Sequence, residues 1–255
     1  MRDRASGGIA SLRKGLDVLF LLSDLDRLGV RQIAERVRMP VSTAYRLIRT
    51  LARAGALEQD PATRKYRLGL RLLALEASIL RHLDVRRIAL PYMNALAERW
   101  NETVLLTLRN EFQGVCIEAV ESSEPLRVAP TRGQVLPLHA GALEKAILAF
   151  LPRAEIDQYL KSGRLVRLRQ ETITDPDLLT QELARIRKRG YATSTQEVYK
   201  GARGIAAPIF DNTGMVIGSL GISGPTSRIS MRKVPQVAAE IVKCAKNVSI
   251  KLGQP

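Results

Sequence analysis

Residues 31–68 constrain the fold of this chain most, with the sequence RQIAERVRMPVSTAYRLIRTLARAGALEQDPATRKYRL. The spacing of Ile33, Ala34 and Val37 predicts a short helix that ends before Pro40, because the residue ahead of a proline disfavours the α conformation. A second helix follows and ends near Gly55, a residue suited to a left-handed C-cap. The apolar positions of this second helix are Ala44, Leu47, Ile48 and Leu51.

Two short strands are predicted after the second helix, around residues 57–59 and 65–68. Between them, the segment Asp60-Pro61-Ala62-Thr63-Arg64 has the residue types that form tight turns. Helix, turn, helix and hairpin in this order are typical of a winged helix-turn-helix, whose second helix enters the major groove of DNA. We therefore predict a DNA-binding domain over residues 11–68, after a flexible arm at residues 1–10.

The second helix also carries the side chains expected to contact DNA. Hydroxyl groups and free N–H groups in its first turn suit phosphate, and arginine further along can bind guanine O6 and N7. The basic tip of the hairpin is expected to lie over a neighbouring phosphate or the minor groove. For any single residue, a solvated surface side chain remains an equal alternative. The predicted DNA-binding residues are Ser42, Thr43, Tyr45, Arg46, Arg49, Arg64 and Lys65.

The charge of the chain also favours a polyanionic partner. The 255 residues include 40 Lys/Arg and 25 Asp/Glu, a formal net charge of +15. Residues 1–86 hold 17 Lys/Arg and 9 Asp/Glu, and the remaining 169 hold 23 and 16. The net positive charge per residue is therefore about twice as high in residues 1–86, which contain the predicted DNA-binding domain, and this favours attraction to double-stranded DNA.

Composition excludes several other classes of protein. Cys116 and Cys244 are far apart and outside any CxxC spacing, so neither a disulfide framework nor a zinc site is predicted, and no metal or cofactor is expected. No apolar run approaches the roughly 18 residues that a membrane span needs. The N-terminus lacks the apolar region of a signal peptide, so a cytoplasmic protein with no membrane partner is expected.

Downstream of the hairpin, residues 69–84 are predicted to form a linker helix. Its leucines cover too wide an arc for a solitary exposed helix, which favours packing against a second subunit. A further helix over residues 85–100 opens the second domain, with a kink expected at Pro91.

Residues 85–255 alternate strand-like and helical segments, which predicts an α+β domain with an antiparallel sheet. The predicted strands are 103–109, 115–120, 191–195, 205–210 and 215–223, and the further predicted helices are 139–150, 176–189 and 231–251.

Across nearly its whole length the chain resembles the IclR-type family of bacterial transcriptional regulators. The segments that carry the resemblance are GLDVLFLLSD, RQIAERVRMPVSTAYRLIRTLARAGALEQDPATRKYRLG, LPLHAGALEKAILAFLP and RGYATSTQEVYKGARGIAAPIFDNTGMVIGSLGISGP. The resemblance implies a winged helix, a linker helix and a C-terminal GAF-like domain that binds a small-molecule effector. It also implies a non-enzymatic regulator that binds palindromic operators as a homodimer or tetramer.

The resemblance places the effector over the sheet, and organic or aromatic acids are the family-level expectation. Leu138–Gly141 precedes a helix, so its backbone N–H groups are a plausible anion cradle. The effector-binding residues implied by the family motifs are His139, Ala140, Gly141, Leu143, Ser194, Gly204, Gly221 and Ser223.

Three positions depart from the family pattern. Gly204 and Gly221 stand where some relatives carry polar side chains, which implies that the floor of the effector site is roomier and less polar here. Glu144 stands where the family usually has glycine. An inward Glu144 would disfavour an anionic effector unless Lys145 or an arginine paired with it; we expect Glu144 to point outward instead.

Two rival functions remain open. The first is a metabolite-processing enzyme with an accessory DNA-binding head. His82 and His139 are the only histidines, and no second histidine or activated serine accompanies His139 in the sequence. The second is a DNA-binding protein that responds to no ligand.

Overall fold

The structure is a computed structural model that describes residues 9–75 and 84–254. The chain divides into two compact units between His82 and Leu83. Residues 1–8 of the predicted arm at 1–10 lie outside the described residues. Of the predicted linker helix at residues 69–84, residues 72–75 are helical and residues 76–83 lie outside the described residues. The domain limits given above therefore stay predictions.

Three helices and a hairpin of the N-terminal unit lie wholly within the described residues. They are α1 (Ala10–Asp24), α2 (Val30–Arg36), α3 (Val41–Arg53), β1 (Leu57–Gln59) and β2 (Tyr66–Leu68). The strands pair antiparallel, and Leu28 adds a single bridge to Tyr66 that the sequence does not signal. The buried core of this unit contains Val18, Leu22, Leu28, Ile33, Ala34, Met39, Ala44, Ile48, Leu57 and Tyr66.

The turn between α2 and α3 has a defined backbone. Arg38 adopts a left-handed conformation with φ of 51°, and the Met39 N–H donates to the Ala34 carbonyl at 2.9 Å. Pro40 then precedes α3. At the far end of α3, Gly55 has φ of +75°, the left-handed C-cap expected from the sequence.

The predicted apolar stripe of the first helix lies on the exposed side of α1. Leu12, Leu16 and Phe20 are exposed, whereas Gly15, Val18 and Leu22 are buried. In the sequence, Leu12, Leu16, Leu19 and Phe20 recur at i, i+4, i+7 and i+8, which predicts an amphipathic helix with this stripe towards the core. That prediction is wrong, because only Leu19 of the four is partly buried. Gly15 faces Leu47 of α3, so the small residue sets the side on which the two helices meet.

The C-terminal unit is an α+β domain, as predicted. Its described elements are α4 (Asp84–Trp100), β3 (Thr103–Asn110), β4 (Gln113–Val120), β5 (Val135–Pro137), α5 (Ala142–Leu148), α6 (Arg153–Lys161), α7 (Pro176–Arg189), β6 (Ala192–Thr195), β7 (Ala202–Phe210), β8 (Val216–Pro225) and α8 (Val234–Lys251). The strands form one antiparallel sheet in the order β5-β4-β3-β8-β7-β6.

Alternation along the strands divides the core of this unit between the two faces of the sheet. On β3, Val104 and Leu106 pack with α4 and α8, whereas Leu105 packs with α5, α6 and α7. β7 behaves in the same way, with Ile205 and Ala206 on opposite faces. The sheet therefore separates two layers of helices.

Two elements were not predicted, and one helix is shorter than expected. β5 has only three residues and α6 follows Pro152, so neither gives a long periodic pattern. The helix expected over residues 139–150 begins at Ala142, because Gly141 has φ of 98° and His139 lies before the helix. Pro91 lies inside α4, which continues through it to Trp100.

Candidate functional site

The outer face of α3 carries every side chain of that helix that the sequence analysis assigns to DNA. Ala44 and Ile48 are buried, which turns the opposite side of the helix to solvent. The predicted contact residues Ser42, Thr43, Tyr45, Arg46 and Arg49 are all exposed. A helix with one face in a small core and the other polar and basic has the form needed to enter a DNA groove.

The start of α3 is suited to an anionic group. Pro40 occupies the N-cap position, and no side chain caps the helix. The N–H groups of the first turn therefore stay free, and they form the positive end of the helix dipole. Along the same face, the Arg49 guanidinium lies 5.6 Å from the centre of the Tyr45 ring. This cation–π contact orders a long side chain that is otherwise exposed.

The tip of the hairpin is held by Asp60. Its Oδ1 accepts hydrogen bonds from the backbone N–H groups of Ala62 and Thr63, at 2.9 and 3.1 Å. These bonds, together with the charge of Arg27, lower the pKa of Asp60. The turn leaves Arg64, with φ of 57°, and Lys65 exposed. Both predicted basic side chains of the wing are therefore available to a polyanion.

Sequence reasoning missed two further basic side chains. Arg36 at the end of α2 and Arg38 in the turn are both exposed and lie just before α3 in the chain. A search for basic residues close to α3 in the sequence would have identified them. The helical pattern does not distinguish them from other surface arginines.

The second candidate site is a cavity of about 50 Å³ between the sheet and the start of α5. A single water needs roughly 10–15 Å³ measured in this way, so the space suits a small ligand. The lining residues are Leu105, Thr107, Cys116, Pro130, Gln134, Leu136, Gly141, Ala142, Leu143, Glu144, Ser194, Glu197, Val198, Tyr199, Ala202, Gly204 and Ser223.

Five of the eight effector residues implied by the resemblance come together at this cavity: Gly141, Leu143, Ser194, Gly204 and Ser223. His139, Ala140 and Gly221 are buried elsewhere in the domain. Gly221 is packed between strands, where a Cβ would lie 2.5 Å from the Ile205 carbonyl oxygen. The absence of a side chain at Gly221 therefore allows the neighbouring strands to pack closely.

Both ring nitrogens of His139 are occupied within the protein. Nδ1 lies 2.7 Å from the Tyr159 hydroxyl, and Nε2 lies 2.9 Å from the Val166 carbonyl oxygen. The carbonyl can only accept, so Nε2 donates to it and Nδ1 accepts from the hydroxyl. Burial lowers the pKa of His139. These contacts give His139 a structural role.

The backbone anion cradle expected at Leu138–Gly141 is already filled by groups of the protein. The N–H groups of Leu138 and Ala140 donate to backbone carbonyls, and that of His139 donates to the Tyr159 hydroxyl at 3.3 Å. The Gly141 N–H donates to Glu197 Oε2, also at 3.3 Å. Each of these four N–H groups is therefore engaged by an acceptor of the chain, and binding of a ligand carboxylate at this segment stays a prediction.

Glu144 points inward, so the sequence expectation of an outward side chain is wrong. All seven residues of α5 are buried, which leaves this helix no exposed face. Only 5% of Glu144 is exposed, and its carboxyl lies against Gly141, where a Cβ would collide with Oε2. Burial raises the pKa of Glu144 to about 8, and the nearby charge of Glu197 acts in the same direction.

Lys145, the next residue along α5, pairs with Glu197 instead of Glu144. Its Nζ lies 2.5 Å from Glu197 Oε1, with both side chains almost fully buried. Burial raises the pKa of Glu197, while Lys145 and the Gly141 N–H oppose that rise. Neither this ion pair nor the inward Glu144 was foreseen, since the partners come from segments distant in sequence.

Two further observations concern metals and membranes. Within residues 9–75 and 84–254, no three His, Cys, Asp or Glu side chains are grouped as metal ligands. In the same part of the chain, no helix combines the length and the apolar character needed to cross a bilayer.

Comparison with known proteins assigns both units to models of one family. A model of the IclR helix-turn-helix domain matches residues 11–61. A model described as bacterial transcriptional regulator IclR C-terminal matches residues 77–250. The chain is 32% identical over 251 residues to the HTH-type transcriptional regulator KdgR of Escherichia coli (strain K12), covering 98% of this chain and 95% of that one.

Solved structures show the same fold. An IclR transcriptional regulator from Alicyclobacillus acidocaldarius is similar with a TM-score of 0.84 and 28% identity, covering 96% of this chain and 100% of that one. An IclR homolog complexed with 4-hydroxybenzoate, from Microbacterium hydrocarbonoxydans, has a TM-score of 0.79 and 27% identity, covering 95% and 99%.

Proposed function

The chain belongs to the IclR family of bacterial transcriptional regulators, and we propose that it binds a palindromic operator and senses a small organic metabolite. The winged helix is the DNA-binding part, and the cavity beside α5 is the proposed effector site. The observation that carries the DNA-binding half is the exposure of all seven predicted contact residues around a helix whose other face is buried.

A palindromic operator requires two copies of the winged helix. Two-fold symmetric proteins match two-fold symmetric DNA, with each recognition helix on one half-site. A homodimer, or a tetramer built from two dimers, supplies this arrangement. The exposed apolar side chains Leu12, Leu16 and Phe20 on α1 favour self-association of this kind, because monomeric proteins rarely leave such stripes in water.

The proposed effector site is supported by its position and its chemistry. The cavity combines apolar walls with a small number of hydroxyl, amide and carboxyl groups, as small-molecule sites usually do. A structural relative was solved with 4-hydroxybenzoate bound, so proteins of this fold accept small molecules. A ligand changes operator occupancy only if it binds the DNA-competent and incompetent states with different affinity.

The test combines an operator selection with a footprint. The full-length protein is used to select genomic fragments, and the bound segment is mapped by nuclease protection. We expect protection confined to a palindrome, with affinity that responds to a metabolite found by thermal-shift screening. Uniform protection along random DNA would contradict the proposed operator. Release of a chemically altered metabolite without DNA would favour the enzyme alternative.

A further inference from the structure

The Glu144 carboxyl is a buried acidic group inside the proposed effector cavity. Among the described residues, no other side chain forms a hydrogen bond or an ion pair with it. Its charged form is stabilised by its own backbone N–H and, to a smaller extent, by the charge of Lys145. A buried carboxylate is unfavourable without a partner of opposite charge. The side chain is therefore available to pair with a positively charged group from outside the chain.

The lining of the cavity contains no compensating positive charge. Two of its residues, Glu144 and Glu197, are acidic, and none of the described lining residues is Lys, Arg or His. Lys145 lies behind the lining, and its charge is balanced by Glu197 at 2.5 Å. Once this pair is set aside, the cavity carries one excess negative charge whenever Glu144 is ionised.

The other titratable groups around Glu144 do not alter this balance. Burial raises the pKa of Cys116 on β4 to about 12 and also raises the pKa of Tyr199, so both stay neutral near pH 7. Glu118, the remaining acid that acts on Cys116, is paired with Arg86 at 2.5 Å and with Arg132 at 3.0 Å.

We propose that the ligand of this cavity is a small organic cation whose ammonium, amidinium or guanidinium group pairs with the Glu144 carboxylate. This inference rests on the proposed effector function and names the ligand class. Binding of such a group supplies the missing counter-charge at a buried site, where an ion pair is strong. The carbon skeleton of the ligand lies against Leu105, Leu136, Leu143 and Val198, and Ser194, Ser223 and Gln134 offer further polar contacts.

An organic acid fits the cavity less well. Its carboxylate would lie beside Glu144, and two like charges at one buried site oppose each other's ionisation, so an acid would bind only while Glu144 stays protonated. The N–H groups that were expected to receive an acid are engaged by Glu197, Tyr159 and backbone carbonyls. Glycine, the residue usual in the family at this position, would not create this conflict.

Three probes of nearly equal size and shape separate the effect of charge. Acetamidinium chloride, acetamide and sodium acetate are added to the full-length protein at about pH 8.5, with sodium chloride used to equalise ionic strength. Binding is followed by thermal shift and calorimetry. We expect acetamidinium to stabilise the protein and the other two to have little effect. In Glu144→Gln, acetamidinium affinity should fall by at least about tenfold, since a close charge pair is lost.

Two further variants and a pH titration test the inference independently of Glu144→Gln. Glu98→Gln removes an exposed carboxylate on α4 and should leave all three affinities unchanged. Glu144→Gly replaces the side chain by the residue usual in the family and should also lose acetamidinium binding. In the unmodified protein, acetamidinium affinity should rise between about pH 6.5 and 8.5, because Glu144 has to lose its proton while the amidinium keeps its own.

Several outcomes would overturn the inference. They are tighter binding of acetate or acetamide, absence of binding by all three probes, or an acetamidinium affinity that is unchanged in Glu144→Gln. None of these results affects specific operator binding. The proposed function fails in a different way, through the absence of a specific protein–DNA complex.

Discussion

Lys145 and Glu197 form an ion pair in the interior of the C-terminal domain, with 2.5 Å between Nζ and Oε1 and less than a tenth of either side chain exposed. Glu197 Oε2 also accepts from the N–H of Gly141, the residue before α5. The pair therefore ties the start of α5 to the segment after β6. It holds in place the helix that carries Glu144 into the cavity.

Loss of Lys145 should destabilise the domain strongly. In Lys145→Met, Glu197 keeps a buried carboxylate without a counter-charge, and breaking a buried pair in this way costs about 3–5 kcal/mol. Chemical denaturation measures the change in the free energy of unfolding. Arg153→Ala removes a solvent-exposed pair with Asp157 and should cost about 1 kcal/mol or less. Equal losses in the two variants would mean that burial does not strengthen the Lys145 pair.

Stability should fall as pH rises through the range where Glu144 titrates. Its pKa is raised from 4.5 to about 8 in the folded protein, so the folded state binds more protons than the unfolded state between these values. The free energy of unfolding then decreases with pH by up to about 1.4 kcal/mol per unit. Glu144→Gln should remove this contribution, so its stability relative to the unmodified protein should increase from about pH 5 to 8. Glu98→Gln, which removes an exposed carboxylate on α4, is the matched control.

Arg46 and Arg49 should affect operator recognition. If either guanidinium contacts guanine O6 and N7, its replacement by Ala should reduce discrimination between operator and random DNA by about 1–3 kcal/mol. Titrations with both DNA types at fixed salt give the two affinities. Arg185→Ala, an exposed position on α7, is the matched control and should change neither. Equal losses on operator and random DNA would assign the residue to phosphate contact.

Tyr159→Phe should test the structural role of His139. The substitution leaves the buried Nδ1 without its hydrogen-bond donor, which should cost about 1–3 kcal/mol of stability. Operator affinity and ligand response should be unchanged, because neither His139 nor Tyr159 lines the cavity. Tyr92→Phe, a half-buried tyrosine on α4, is the control for loss of a hydroxyl. An altered ligand response with unaltered stability would argue against this role.

Ser223→Leu should abolish the response to the effector while operator binding persists. Ser223 lines the cavity, and a leucine there would occupy space that a ligand needs. The measurement is the operator affinity with and without the metabolite identified by screening. Ser227→Leu places the same side chain at an exposed position and should preserve the response. A normal response in Ser223→Leu would place the effector site elsewhere.

The winged helix could be predicted almost residue by residue. Pro40 precedes α3 as its N-cap residue, and Gly55 ends α3 through its left-handed backbone. These are local effects that act over a few residues, so the sequence alone reveals them. The orientation of α1 was predicted wrongly because both sides of that helix contain apolar residues. Contact between Gly15 and Leu47 of α3 decides which side is buried.

The candidate cavity was predicted in part. The family motifs include Ser194, Gly204 and Ser223, which line one cavity in the structure, but they also include His139, whose ring contacts Tyr159. Glu197 has no motif around it that marks a buried acid. Its role becomes visible only through the contacts that it makes.

The sequence by itself determined the order of the elements, the division of polar and apolar faces on α3, and the family to which the chain belongs. The tertiary structure decided that Glu144 points inward and that Lys145 meets Glu197, 52 residues away. The physical reason is the range of the interactions. Helix ends and turns depend on adjacent residues, whereas burial, charge pairing and pKa depend on which distant segments the folded chain brings together.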